Sequence, residues 1–195
     1  FFPVVLSLFI ASASYAEDIK GEAIDSLSTA QTFVEKGNYS KAIEEINYAL
    51  AKINELTAEG LIKFIPPPPS GFKLDSKQSQ GTGAGAVIAG NAGANASYSN
   101  PDGASIKLNI AIGGMTGKMA SLAALTQMFA GLAPAGEAAQ SKQIRVQGYT
   151  GTEMYNSQKK SGSVTFQIGA KTSVTIEGAN IDSPDVLKQL AKNID

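Results

Sequence analysis

The sequence predicts an α+β protein, an N-terminal helical hairpin followed by an antiparallel β-sheet domain with covering helices. Three observations carry this. Residues 17–65 hold two stretches of helical period, residues 92–112 hold two strands around Asn100-Pro101-Asp102-Gly103, and residues 144–178 hold a run of short alternating segments. The chain divides into residues 1–16, a signal segment; 17–65, the hairpin; 66–80, a proline-rich linker; and 81–195, the α+β domain.

In the first helix Ile24, Leu27, Gln31 and Val34 follow helical spacing, with Ala23, Ala30 and Phe33 widening the apolar stripe. Gly37-Asn38 breaks it. The second helix, from about Ser40, places Ala42, Ile43, Ile46, Ala49, Leu50, Ile53 and Leu56 on one face, with Lys41, Glu44, Glu45, Lys52 and Glu55 opposite. Pro66 to Pro69 cannot continue a helix and predict an extended polyproline rod, read as a stiff spacer rather than a ligand for an aromatic groove. The Gly- and Ser-rich residues 78–93 predict a loop or weak strand.

Pro101 presets φ for a turn and Gly103 supplies a left-handed residue, so residues 100–103 predict a hairpin tip. The strand after it alternates cleanly, with Ile106, Leu108, Ile110 and Ile112 on one face. The strand before it presents Ala92, Ala94, Ala96 and Tyr98. Residues 117–132 predict an apolar helix with Met119, Leu122, Leu125, Met128, Phe129 and Leu132. A β-meander follows, carried by Ile144 and Val146, then residues 148–156, then Val164, Phe166 and Ile168, then Val174 and Ile176. Ser183 as N-cap and Pro184 at the first position open a closing helix that packs through Leu187, Leu190, Ala191 and Ile194.

Composition excludes whole classes of chemistry. There is no His and no Cys, which removes thiol nucleophiles, His bases, Ser-His-Asp triads, thiolate zinc sites and disulfides. The net charge is −1, so nothing draws the chain to nucleic acid or anionic lipid. Residues 1–16 carry no charge, begin with the apolar run FFPVVLSLFI and end in small residues, with Ser14 and Ala16 suited to a signal peptidase. They predict export, cleavage after Ala16 and a periplasmic or secreted protein with no stable membrane span after cleavage. Because the chain starts without Met or a basic n-region, its N-terminus is expected to be truncated.

Candidate motifs are few. Gly81-Thr82-Gly83-Ala84-Gly85-Ala86 has the spacing of a dinucleotide fingerprint but lacks the flanking strand and helix, so a loop is expected. Arg145, the only arginine, is expected on the solvent face of its strand; Tyr149 and Tyr155 could line a cleft or cap the core; Lys159-Lys160 is expected to be solvated in a turn. No catalytic, cofactor-binding or metal-ligating residue is assigned, and no cofactor is expected.

Ala30, Gly37-Asn38-Tyr39-Ser40-Lys41-Ala42-Ile43 and Ala49-Leu50 resemble the middle of a tetratricopeptide repeat. That resemblance implies a tight turn at Gly37, a Tyr packed across it and close approach of the helices at the alanines. Together with Pro66–Pro69/Gly71-Phe72, the 100–103 turn, the apolar helix and Val174-Thr175-Ile176-Glu177-Gly178, the chain is similar to a group of uncharacterised exported bacterial proteins. Residues from 66 onward are similar in element order to the PsbP/Mog1-like fold. None of these resemblances supplies a mechanism. The expected function is a non-enzymatic binding or adaptor protein that offers one surface to an envelope protein. The alternatives are a carrier of an apolar small molecule or lipid, built on Met119, Leu122, Met128 and Phe129, and an exported hydrolase using Ser/Lys or carboxylates.

Overall fold

Gly37-Asn38 and the four prolines set the limits of the helical part. The computed structural model describes residues 8–80, 92–113 and 140–194. Helix α1 spans Leu8–Glu35 and helix α2 spans Tyr39–Leu61, followed by a single 3-10 turn, Ile62–Phe64. Gly37 takes φ 71°, the left-handed conformation that lets the chain reverse, and Asn38 Oδ1 accepts from Lys41 N to cap α2. Among the described residues, no helix is long and apolar enough to cross a membrane.

Among the described residues seven antiparallel strands follow: β1 (Lys73–Gln80), β2 (Ala92–Ser99), β3 (Ser105–Ile112), β4 (Gln140–Val146), β5 (Tyr149–Asn156), β6 (Ser161–Ile168) and β7 (Thr172–Ala179). Helix α3 (Asp185–Ala191) closes the fold. The arrangement is α+β, as the patterning predicts. In space the strands run β1-β2-β3-β7-β6-β5-β4. Two meanders, β1 to β3 and β4 to β7, are therefore joined by one non-local pairing, β3 with β7.

Register turns the alternation of each strand into one apolar face. Ala94, Ile110, Val174, Phe166, Gly151 and Ile144 follow one another across the sheet from β2 to β4, and Ala96, Leu108, Ile176, Val164 and Glu153 form the next row. Leu61, Phe72, the Leu187, Leu190 and Ala191 stripe of α3 and Ile194 just beyond it pack on this face. The 100–103 turn forms as expected: Gly103 has φ 81° and donates to Asn100 O, and Asn100 Oδ1 accepts from Ala104 N at 2.7 Å.

Some details differ from the expectations. Lys73–Gln80, placed in the linker by its polarity, is the edge strand β1; its pairing with β2 supplies the order that its side chains do not. The prolines are not a free rod. Pro66 and Pro69 are buried, and the fully buried Tyr98 donates its hydroxyl to Pro66 O at 2.8 Å. Ser183 lies one residue outside the cap position and accepts from Asp185 N at 3.1 Å. The expected helix over 117–132 and the Gly81–Ala86 motif lie outside the described residues.

The closing helix is held by both shape and charge. A Cβ on Gly178 would lie 2.6 Å from Ile181 Cδ1 and 2.9 Å from Leu187 Cδ2, so the glycine makes room for the loop and α3 to sit on β7. Glu153, buried in the apolar row of β5, meets Lys188 Nζ at 3.0 Å, and Lys188 also pairs with Asp185 at 2.7 Å. Asp185 first and Glu153 second hold the Lys188 ammonium above the usual lysine range.

Two predictions follow from these contacts. Lys188→Met strands the Glu153 carboxylate and is expected to cost about 2–3 kcal/mol in urea unfolding, while Glu153→Met/Lys188→Met recovers most of the loss. Burial pushes the Tyr98 hydroxyl from 10.0 up to about 12. Its contribution is therefore complete below pH 10 and lost as pH rises through about 12, because the unfolded state ionises first. Tyr98→Phe is expected to cost about 1–2 kcal/mol at neutral pH, by leaving Pro66 O unpaired, and to flatten the alkaline limb of a stability-against-pH curve.

Candidate functional site: the apolar face of the helical hairpin

The hairpin is built on small residues. Among the residues of α1 whose burial is described, Ile19, Ala23, Ser26 and Ala30 are buried, and in α2 the positions turned toward α1 include the buried Ala42 and Ala49. Alanine against alanine and serine lets the two backbones approach closely. The last turns of α2, with Asn54, Ala58 and Leu61 buried, contact β1 and β2 instead.

That seam leaves the large apolar residues outside. Ile24, Leu27 and Val34 of α1 and Ile43, Ile46, Leu50 and Ile53 of α2 are 36–58% exposed. The sequence places Ile24, Leu27 and Val34 at the centre of the packing stripe of α1; the structure turns that stripe outward by about a quarter turn, with Ala23 and Ala30 taking the seam. Helix geometry puts both exposed stripes on the same side of the hairpin. On the opposite side lie Glu22, Tyr48 and Lys52, with Lys52 Nζ 2.7 Å and Tyr48 Oη 2.9 Å from Glu22 Oε2. Lys52 first, then Tyr48, holds the Glu22 carboxyl below the usual range, and Glu22 in turn raises Tyr48 and Lys52.

Cross-helix contacts set the register. Glu22 meets Lys52, and Lys41 Nζ lies 5.6 Å from the Phe33 ring centroid. Continued along the pair, this register sets Ile24 level with Leu50, Leu27 beside Ile46, and Val34 beside Tyr39. The apolar face is thus layered, without a charged residue among its seven members. Tyr39 is 65% exposed and does not pack across the turn as the repeat resemblance implies; Phe33 and Lys41 make that contact.

A concavity lies beside the β2–β3 turn and the loop after β7. It is an open cleft of about 430 Å3 lined by the 100–104 turn, Lys160, Asn180–Asp185 and Phe72. Its polar groups are engaged with one another. Lys160 pairs with Asp182 at 2.8 Å, which raises the lysine; Ile181 N donates to Lys160 O, Asn180 Nδ2 to Asp102 O, and Ser183 Oγ to Asp185 Oδ2. These bonds hold Lys160 and Asn180 in left-handed conformations, φ 48° and 55°, and serve to lock the loop.

The other residues singled out in the sequence do not converge. Arg145 is exposed on the edge strand β4, opposite Thr150. Tyr149 is on the rim beside it, whereas Tyr155 is half-buried and donates to Ile181 O at 3.0 Å. Lys159 is exposed in the β5–β6 turn, and Lys160 is ion-paired rather than only solvated. Met119, Leu122, Met128 and Phe129, the basis of the carrier alternative, lie outside the described residues. No group of three or more His, Cys, Asp or Glu among the described residues is placed to hold a metal.

No family model matches this chain, and no curated protein or solved structure matches it.

The seam yields a test of its own. Ala49→Leu, at a position with no exposed surface, is expected to cost about 1–3 kcal/mol and to lower the helical circular dichroism, whereas Asn47→Leu on the solvent side changes stability by less than about 0.5 kcal/mol.

Proposed function

We propose that this chain is an exported, non-enzymatic binding or adaptor protein that works through the apolar face of its helical hairpin. The observation that carries the reading is the layered set Ile24, Leu27, Val34, Ile43, Ile46, Leu50 and Ile53, left exposed on one side of the hairpin while the sheet has its own buried core. Large apolar residues gathered in one exposed patch mark an interaction surface. Export is the reading of the uncharged, apolar residues 1–16 with their small terminal residues. The similarity to exported bacterial proteins belongs to the same proposal. A protein-binding role also fits a chain without His or Cys, whose local ion pairs serve packing and turn closure.

The test is a photo-cross-linking side chain at position 46 of the full chain, compared with one at Asp25 on the other side of α1, in intact envelopes. Discrete protein adducts at position 46 and not at Asp25 are expected. Absence of any protein adduct at position 46 would remove the reading.

A further inference from the structure

We propose that the occupant of the hairpin face is a second copy of this chain, joined by a two-fold axis into an intermolecular four-helix bundle. This rests on the reading that the hairpin face is the working surface, and it names the partner of that surface.

The area matches what a stable pair needs. The seven large side chains alone leave about 600 Å2 per copy open to water, and with the Tyr39 and Gln31 rim two facing copies would bury about 1,200–1,600 Å2, the size of a specific protein interface. The chemistry is self-complementary. An isologous contact sets the same patch against itself, so a charged patch would repel, whereas this one holds four Ile, two Leu or Val neighbours on α1 and one Leu on α2, none of them charged. Most are β-branched and stiff at χ1, which favours interdigitation of layers over a loose greasy contact.

The geometry is equally suited. With residues 17–35 of α1 antiparallel to the 23-residue α2, a two-fold axis lying in the plane of the face sets one hairpin on the other in two layers, the packing of a four-helix bundle. The face is also continuous with an interface already in the fold. The α2 stripe exposed at Ile43, Ile46, Leu50 and Ile53 runs on into Asn54, Ala58 and Leu61, which are buried where α2 contacts β1 and β2. The sheet covers the last turns of that stripe and leaves the earlier ones for a neighbour. The alanine-rich seam supplies the reason: the large apolar residues beside it stay open to water, and a second hairpin supplies their burial.

Sedimentation equilibrium of the full chain, together with Ile43→Asp/Ile46→Asp and with Ile46→Cys, tests this. The expected result is twice the chain mass at micromolar concentration, at least a hundredfold weaker association in the double variant with unchanged β-sheet circular dichroism, and an intermolecular disulfide in Ile46→Cys, which has no competing thiol. A chain that stays monomeric to about 100 μM overturns the proposal. A dimer that the double variant leaves intact also overturns it, since the contact then lies elsewhere. The cross-linker at position 46 separates this failure from that of the functional reading. Adducts to another protein alone sink the second copy and keep the binding surface, and adducts to nothing sink both.

Discussion

The sheet and the helix that closes it depend on the pairing of β3 with β7. Eight residue pairs, from Ser105 with Ala179 to Ile112 with Thr172, join two meanders that are otherwise local. The partners lie about seventy positions apart in sequence, so this one contact carries most of the loop-closure cost of the sheet. It also sets the apolar rows in line. Ile110 meets Val174 and Leu108 meets Ile176; a slip of one residue would turn every one of these side chains to the other face. The docking of α3 follows from it, because Gly178 opposite Ile106 leaves the space into which Ile181 and Leu187 fit.

The hairpin obeys a different constraint. Ile19, Ala23, Ser26 and Ala30 of α1 and Ala42 and Ala49 of α2 form the seam, and most of them are small. Of the large residues Ile19 enters the seam, while Ile24, Leu27 and Val34 lie to one side of it. One residue pattern therefore produces both the tight hairpin and the exposed apolar face, and the candidate function is a direct consequence of the seam. The proline segment links this hairpin to the sheet physically as well as in sequence, through the Tyr98 hydroxyl on the Pro66 carbonyl.

Much of the sheet was legible in the sequence because its signals are local. Alternation in β3, β6 and β7, the Asn100–Gly103 turn, and the Leu187, Leu190, Ala191 and Ile194 stripe each state which face is apolar, and burial follows that statement. Residues 73–80 were not legible, since Lys73, Asp75, Lys77 and Gln78 carry no apolar face and the strand exists through backbone pairing with β2. Glu153 was hidden for a related reason. A carboxylate in an apolar row becomes intelligible only when α3 brings Lys188 within 3.0 Å. On the other face of the sheet, Ser163 is buried and burial raises the Glu177 carboxyl, a withdrawal from solvent that polar side chains do not announce.

The sequence by itself determined the hairpin helices, strands β2 to β7 and the closing helix, their order, the apolar faces of β3, β6 and β7, and the exclusion of thiol and imidazole chemistry. Tertiary structure decided which of two apolar stripes on α1 turns inward. Periodicity defines a face relative to its own helix axis and says nothing about the distance to a neighbour. At the spacing the hairpin adopts, Ala23 and Ala30 fit the seam and Ile24, Leu27 and Val34 do not, so the residues that look most like core are the ones left facing water.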